Sequence, residues 1–344
     1  MLKYRFFNDY SEGAHPRILE WMASTNLDQE EGYGNDQICL QAVELLRTAL
    51  GKADAAVHFV TGGTQANLIG LSALLKPYES VIAAESGHIA VHETGAVEAT
   101  GHKINTVPVR DGKLTAAQIQ AVVDAHTDEH MVKPRVVFIS QSTELGTLYR
   151  LAELEEIART CRANGLYLYV DGARLGAALT SRAADVTLPN LARLADMFYI
   201  GGTKNGALLG EAMVIPNPAL LPEFRYMVKQ HGGLLAKGRV LGLQFLGLFQ
   251  EGLYFDLARH ANAMAERMAQ GIAGLGFTFL TQPTTNILLP IFPDELIARL
   301  QQLYGCYLWA PTGAGRSAVR MVTSWATRPD KVEEFLADLK ALAG

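Results

Sequence analysis

Cysteine is scarce in this 344-residue chain: Cys39, Cys161 and Cys306 are the only three, and they lie far apart. They cannot all pair and they lack the close spacing of a thiolate metal site, so neither a disulfide framework nor a metal centre is expected. They suit buried small hydrophobes in a reducing, cytoplasmic setting. Basic runs are missing as well. Lys and Arg are scattered and the net charge is −5, which removes the electrostatic footprint of a nucleic-acid partner. No apolar stretch is long enough to cross a bilayer, because the most apolar one, 234–249, carries Lys237 and Arg239. Lys3, Arg5, Asn8 and Asp9 leave no room for a signal-peptide core. Internal repeats and low-complexity segments are also absent.

What is present reads as a globular protein. Hydrophobic residues make up 49% and charged residues 19%, and the length suits one large domain plus a smaller one. Short apolar runs at 55–60, 81–84, 104–109, 135–140, 166–170 and 197–200 read as buried strands, with helical periodicity between most of them. Asn35-Asp36 can cap a helix that Gly51 stops, and 152–163 is helical up to Gly165. Strands alternating with helices predict an α/β domain with a mostly parallel sheet covered on both faces. After Pro216 the pattern changes to a helix-rich stretch, 219–275. Strand signatures then follow at 277–280, 287–290 and 319–324, with helices over 295–304 and after Pro329. This predicts a large domain over 1–250, including the N-terminal segment, and a smaller α+β domain over 251–344.

Three motifs follow predicted strands, and ligands of open α/β sheets sit just beyond the carboxyl ends of strands. In Thr61-Gly62-Gly63-Thr64, glycines would let backbone N–H groups approach an anion at a helix start, with the Thr64 hydroxyl as phosphate donor and helix cap. An ordinary tight turn has the same composition. Asp171, in Asp171-Gly172-Ala173-Arg174, is costly at a buried strand end unless paired. A protonated pyridine nitrogen, an Asp–Arg pair or a helix cap would each serve. Lys204, in Gly201-Gly202-Thr203-Lys204-Asn205-Gly206, is a lone lysine among small residues. It suits a Schiff-base lysine with a lowered pKa, although a surface turn is the default for a lysine taken alone. The order of the three, each after its own strand, favours the chemical reading. His88 follows the strand at 81–84 and could stack on a cofactor ring. His126 and His130 lie in a polar loop without a further ligand, so no metal site is expected there.

Taken together, these residues resemble the threonine aldolase, or β-eliminating lyase, family of fold-type I pyridoxal-5′-phosphate (PLP) enzymes, closest to its low-specificity L-threonine aldolase and phenylserine aldolase branch. The resemblance covers almost the whole chain. It rests on Glu31-Gly32-Tyr33-Gly34, Gly63-Thr64-Gln65-Ala66-Asn67, His88 with Glu93, Ser140 to Thr147, Asp171 to Arg174, Gly201 to Gly206 and Val319 to Thr323. It implies an aspartate-aminotransferase-like large domain and cleavage of β-hydroxy-α-amino acids to glycine and an aldehyde. It assigns Lys204 to the cofactor aldehyde, Asp171 to the pyridine nitrogen, His88 to the ring face, and Gly63 and Thr64 to the phosphate. Arg174 and Arg320 would hold the substrate carboxylate. Tyr33 would lie near the cofactor at a subunit interface of a homodimer or homotetramer. Asn8 matches a substrate-binding Ser of relatives. Two departures stand out. Glu144 replaces a His proposed to handle the substrate hydroxyl, so Glu144 or a water would take that proton. Lys237 stands in the Gly-rich segment where relatives carry a phosphate-binding Arg. Other PLP reactions (β-elimination, racemisation, transamination) and a non-catalytic PLP-fold binding protein are the competing readings.

Overall fold

The computed structural model describes residues 2–343. In chain order the first half runs β1 (Tyr4–Arg5), α1 (Pro16–Ser24), α2 (Gln37–Leu50), β2 (Ala56–Val60), α3 (Gly63–Leu74), β3 (Glu79–Ala84), α4 (His88–Val91), β4 (Lys103–Val107), α5 (Ala116–Ala125), β5 (Lys133–Ser140), α6 (Leu151–Ala163) and β6 (Tyr167–Asp171). Then come α7 (Leu175–Thr180), α8 (Leu188–Leu194), β7 (Met197–Gly201), β8 (Glu211–Ile215), α9 (Phe224–Gln230), α10 (Arg239–Phe249) and α11 (Leu253–Gly274). The chain ends with β9 (Thr278–Phe279), β10 (Ile287–Leu288), β11 (Pro290–Pro293), α12 (Asp294–Leu303), β12 (Tyr304–Gly305), β13 (Tyr307–Gly313), β14 (Arg316–Val322) and α13 (Pro329–Ala343).

Seven strands form the central sheet in the order β2-β8-β7-β6-β5-β3-β4. Side chains alternate across a strand, and here both faces are covered. Ile82, Val137, Leu168, Phe198 and Val214 join one apolar cluster with α2, α6, α8 and α10. Their neighbours Val81, Val136, Tyr169, Met197 and Met213 join a second cluster with α3 and α9. Burial on both faces is why these strands read as continuous apolar runs.

β8 is the element that sequence periodicity does not separate. It is five residues long, follows a glycine and runs antiparallel to both β2 and β7. Being antiparallel to the same strand makes β2 parallel to β7, and β3, β5, β6 and β7 are parallel to one another. The carboxyl ends of β2, β3, β5, β6 and β7 therefore open on one edge of the sheet.

A third apolar cluster lies in the C-terminal part, where β14 pairs with β10, β11 and β13, and β9 pairs with β11. Packing changes over inside α11: Tyr254 and Leu257 belong to the large core, whereas Met264, Met268 and Ile272 belong to the smaller one. Phe6 also sits in the smaller core, and β1 pairs with β12. The N-terminal strand thus packs with the C-terminal unit, because its apolar residue finds its partners there, 298 residues downstream at Tyr304 and beyond. Among the described residues, no helix is long and apolar enough to cross a membrane.

Candidate active site

Five of the strands that end on the common edge deliver chemistry-bearing residues. Gly63 and Thr64 follow β2, His88 follows β3, Glu144 follows β5, Asp171 ends β6 and Lys204 follows β7. Arg174 opens α7, three residues after Asp171, and Arg320 comes across from β14. A cavity of about 490 Å³ is lined by Tyr10, His88, His92, Glu144, Arg174, Lys204, Arg320 and the β13 segment Tyr307, Leu308 and Trp309.

Asp171 is nearly fully buried behind this cavity. Its Oδ1 accepts the Ala173 N–H at 2.9 Å and its Oδ2 accepts from Asn67 Nδ2 at 3.2 Å. Asn67 Nδ2 also donates to Glu93 Oε1 at 2.7 Å, and His88 Nδ1 donates to the same oxygen at 2.7 Å. This buried chain fixes the His88 ring and leaves its Nε2 free of these contacts. Burial works to lower the His88 pKa, but the Glu93 hydrogen bond and the Glu144, Asp171 and Glu93 charges outweigh it and raise it above the ordinary value. Asn67 was quoted in a motif but given no role from sequence. An amide set between apolar Ala66 and Leu68-Ile69 was the available sequence signal, since a polar group on an apolar helix face needs a partner.

Burial and the neighbouring Arg174 cation push the Lys204 amine below its ordinary pKa, against the pull of Asp9, Glu144 and Asp171. Arg174 is itself held by Asp9, through Nε to Oδ2 at 2.7 Å and Nη2 to Oδ1 at 3.0 Å. Burial disfavours both charges, yet the pairing lowers the Asp9 pKa and raises that of Arg174. The Arg320 guanidinium lies 5.9 Å from the Trp309 ring centroid, and burial, then Arg174, lower its pKa. With Arg174 balanced by Asp9, the remaining cations Lys204 and Arg320 face one cavity carboxylate, Glu144. The site is suited to an anionic ligand.

Not every predicted residue joins this cavity. Asn8 does not line it: its Oδ1 accepts from Tyr10 N and Ser11 Oγ, both at 3.0 Å, which is a turn contact. The adjacent Asp9 and Tyr10 are the residues that face the site. Thr64 does not cap α3. Gly62 is the N-cap, no side chain caps that helix end, and Thr64 lies exposed in the first turn. Tyr33 and Lys237 lie together elsewhere on the chain. The Tyr33 N–H donates to Ala236 O at 3.1 Å, and Lys229 Nζ lies 4.7 Å from the Tyr33 ring centroid. Asp9 and β13 went unseen in the sequence because their contacts to the site span the length of the chain, whereas His92 lies only four residues from His88, their ring centroids 5.5 Å apart, and is a local neighbour the motifs did not include.

Comparison with known proteins matches residues 9–293 to the beta-eliminating lyase family. A low specificity L-threonine aldolase of a Pseudomonas species is 34% identical over 342 residues, covering 98% of this chain and 97% of the relative. The Pseudomonas aeruginosa protein of the same description is 33% identical, covering 99% and 98%. The structure of Leishmania major threonine aldolase superposes with a TM-score of 0.97 at 47% identity, covering 99% of this chain and all of that one. Thermus thermophilus aspartate aminotransferase shares the fold at 15% identity with a TM-score of 0.73, covering 99% and 91%.

Proposed function

The chain belongs to the beta-eliminating lyase family, and on that premise we propose that it is a PLP-dependent aldehyde-lyase of the low-specificity L-threonine aldolase type. Its substrates on this reading are L-threonine, L-allo-threonine or L-phenylserine-like β-hydroxy-α-amino acids, cleaved to glycine and an aldehyde. The observation that carries the proposal is the single cavity shared by Lys204, His88, Glu144, Arg174 and Arg320, with Asp171 buried behind it.

The residues fit the cofactor. A Cβ on Gly62 would meet nothing within 4 Å, and one on Gly63 would stand 3.0 Å from the Tyr199 hydroxyl. At Gly62 the turn before α3 is open for an anion, and the helix leaves its first-turn N–H groups without a side-chain acceptor. Gly63, Thr64 and those amides would hold the phosphate, Asp171 the pyridine nitrogen, His88 the ring face and Lys204 the aldehyde. When bound, PLP supplies the electron sink for the pair released as Cα–Cβ breaks.

The chain's own residues choose which bond that is. Arg174 keeps its Nε and Nη2 on Asp9, so its Nη1 remains for a carboxylate oxygen, and Arg320 supplies the second cation. Two cations on the carboxylate fix the rotation about the Cα–N bond and with it the direction of Cα–Cβ. Glu144, on the cavity wall, takes the hydroxyl proton at a carboxylate oxygen, directly or through a water. Lys204 Nζ, its pKa lowered by burial and by Arg174, gives up its proton more readily than an ordinary lysine. Tyr33 and Lys237 would act on the site of a second copy in a homodimer or homotetramer, with Lys237 as a point charge near the phosphate. A division of the chain near residue 250 and a cytoplasmic location belong to the same proposal.

The test is to load the purified protein with PLP and supply L-threonine or L-phenylserine. Glycine and the matching aldehyde are expected. Ammonia with 2-oxobutyrate (from L-threonine) or phenylpyruvate (from L-phenylserine), or a hydroxylated oxo acid with an aminated cofactor, would replace the aldolase reading with another PLP reaction. Lys204→Ala should lose the visible absorption of the lysine-bound cofactor, and persistence of that band would remove Lys204 from its role.

A further inference from the structure

Lys204 rides on a loop, residues 202–210, that joins β7 to the antiparallel β8. The base of the loop is closed by backbone contacts: the N–H groups of Gly202 and Thr203 both donate to Gly210 O, at 3.0 and 3.1 Å. Gly210 N donates to Thr203 Oγ1 at 3.0 Å. Its far side is held by two buried groups of neighbouring helices. Gln244 Oε1 accepts from Leu208 N at 2.6 Å and Leu209 N at 3.2 Å, and Asn205 Nδ2 donates to Tyr254 O at 2.7 Å.

One further group at the base is unexpected on physical grounds. Glu211 is the first residue of β8, directly across from Gly201, in a strand whose five residues are all buried. Its side chain is 4% exposed, and among the described residues it forms no ion pair. A buried carboxyl is costly unless its oxygens are used. Here Oε2 accepts the Gly202 N–H at 3.0 Å, two residues before Lys204. An apolar residue would fill the strand at lower cost, so the feature gained is an oxygen acceptor for the Gly202 N–H, which it shares with Gly210 O.

We infer that Glu211 is a positioning residue: it clamps the loop that presents Lys204 and, through its buried carboxyl, governs the proton on the lysine nitrogen. The inference rests on the proposed role of Lys204. The groups that face Glu211 are Gly202, Thr203 and Lys204 of the loop, Asp171 and Tyr169 of β6, Tyr199 of β7 and Tyr254 of α11. Burial, with the Asp171 charge, pushes the Glu211 carboxyl up to about 8, against the pull of the Thr203 hydroxyl, Lys204 and the Gly202 N–H. Below that pH the carboxyl is neutral. Above it the carboxylate attracts Lys204, opposing loss of the lysine proton, and it accepts the Gly202 N–H more strongly. The two groups therefore titrate as a pair.

The experiment compares the PLP-loaded wild type with Glu211→Gln and Glu211→Ala by amide hydrogen exchange of residues 202–210 and by absorbance titration of the lysine-bound cofactor. Gln keeps an acceptor for Gly202 but carries no charge. It should leave loop exchange close to wild type and move the titration midpoint down by roughly half a unit or more. Ala removes the acceptor, and loop exchange should rise about tenfold or more. Unchanged loop exchange in Glu211→Ala overturns the clamp, and an unchanged midpoint in Glu211→Gln overturns the control of the lysine proton. If Glu211→Ala does not fold, Glu211→Met, which fills a similar volume without an oxygen acceptor, takes its place, and unchanged loop exchange in it overturns the clamp. If the wild type forms no coloured complex, the cofactor reading itself fails, while exchange still reports on Glu211.

Discussion

Asp9→Ala tests the electrostatics of the cavity most directly. Asp9 is 1% exposed. It accepts two hydrogen bonds from Arg174, at 2.7 and 3.0 Å, and one from Asn286 Nδ2 at 2.9 Å. Removing it strands a buried guanidinium without its counter-charge and leaves an Asn286 donor unmatched. Breaking a buried pair from one side costs about 3–5 kcal/mol, which is a large part of the ~5–15 kcal/mol that holds a typical domain folded. Asp9→Asn keeps the shape and one acceptor, and should cost about 1.5–3 kcal/mol, the range for a hydrogen bond to a charged group. Burial alone would raise the Asp9 pKa, but Arg174, Lys204 and the hydrogen bonds hold it below the ordinary carboxylate value. Its contribution is thus present above the unfolded pKa and is lost as pH falls through the folded one. Wild type and Asp9→Asn should converge in acid. Because Asp9 also aims Arg174, KM for the amino acid should rise more than kcat falls. Urea unfolding across pH, together with steady-state kinetics, reads both effects. A loss below about 1 kcal/mol for Asp9→Ala with KM unchanged would refute the reasoning, since a stranded buried charge costs more than that.

Glu93→Gln should lower the His88 pKa, read by NMR titration of the ring protons. Because that pKa is raised in the folded protein, its stabilisation is present below the unfolded value and fades as pH rises through the folded one. The variant should therefore differ from wild type more at mildly acidic than at alkaline pH. Gly172→Ala would place a Cβ 1.8 Å from the Tyr199 carbonyl oxygen, where backbone must move. A loss of about 3 kcal/mol or more, or insoluble protein, is expected, and a wild-type melting curve would contradict it. Burial pushes Cys306 up to about 11 and Cys161 up to about 12, and Cys39 higher still. Native protein should leave a thiol reagent unreacted at pH 8 and release three equivalents in urea, and rapid native labelling would show that the cores open.

Much of the site was legible along the chain because its residues follow apolar strands whose ends share one edge. Gly63, His88, Asp171 and Lys204 are local features of strand, turn and helix start. Asp9 was not legible: its partner Arg174 is 165 positions away, and only its neighbour Asn8 drew notice. β13 escaped because its residues are mostly exposed along the cavity mouth, so they lack the run of buried apolar residues that marks a central strand. Thr64 looked like a helix cap by type, but the chain enters α3 two positions earlier, at Gly62.

The sequence by itself determined the alternation of elements, the two-sided burial of the sheet and the order in which chemical groups are delivered to its edge. Periodicity and turn residues act over a few positions, so these can be read locally. Tertiary structure alone decided which group each charge meets. It set Asp9 against Arg174, linked Asp171 to His88 through Asn67 and Glu93, and inserted β8 beside β7 so that Glu211 lies under the loop of Lys204. A buried charge is stabilised by whatever lies within a few ångströms, and that neighbour is chosen by the packing of distant segments.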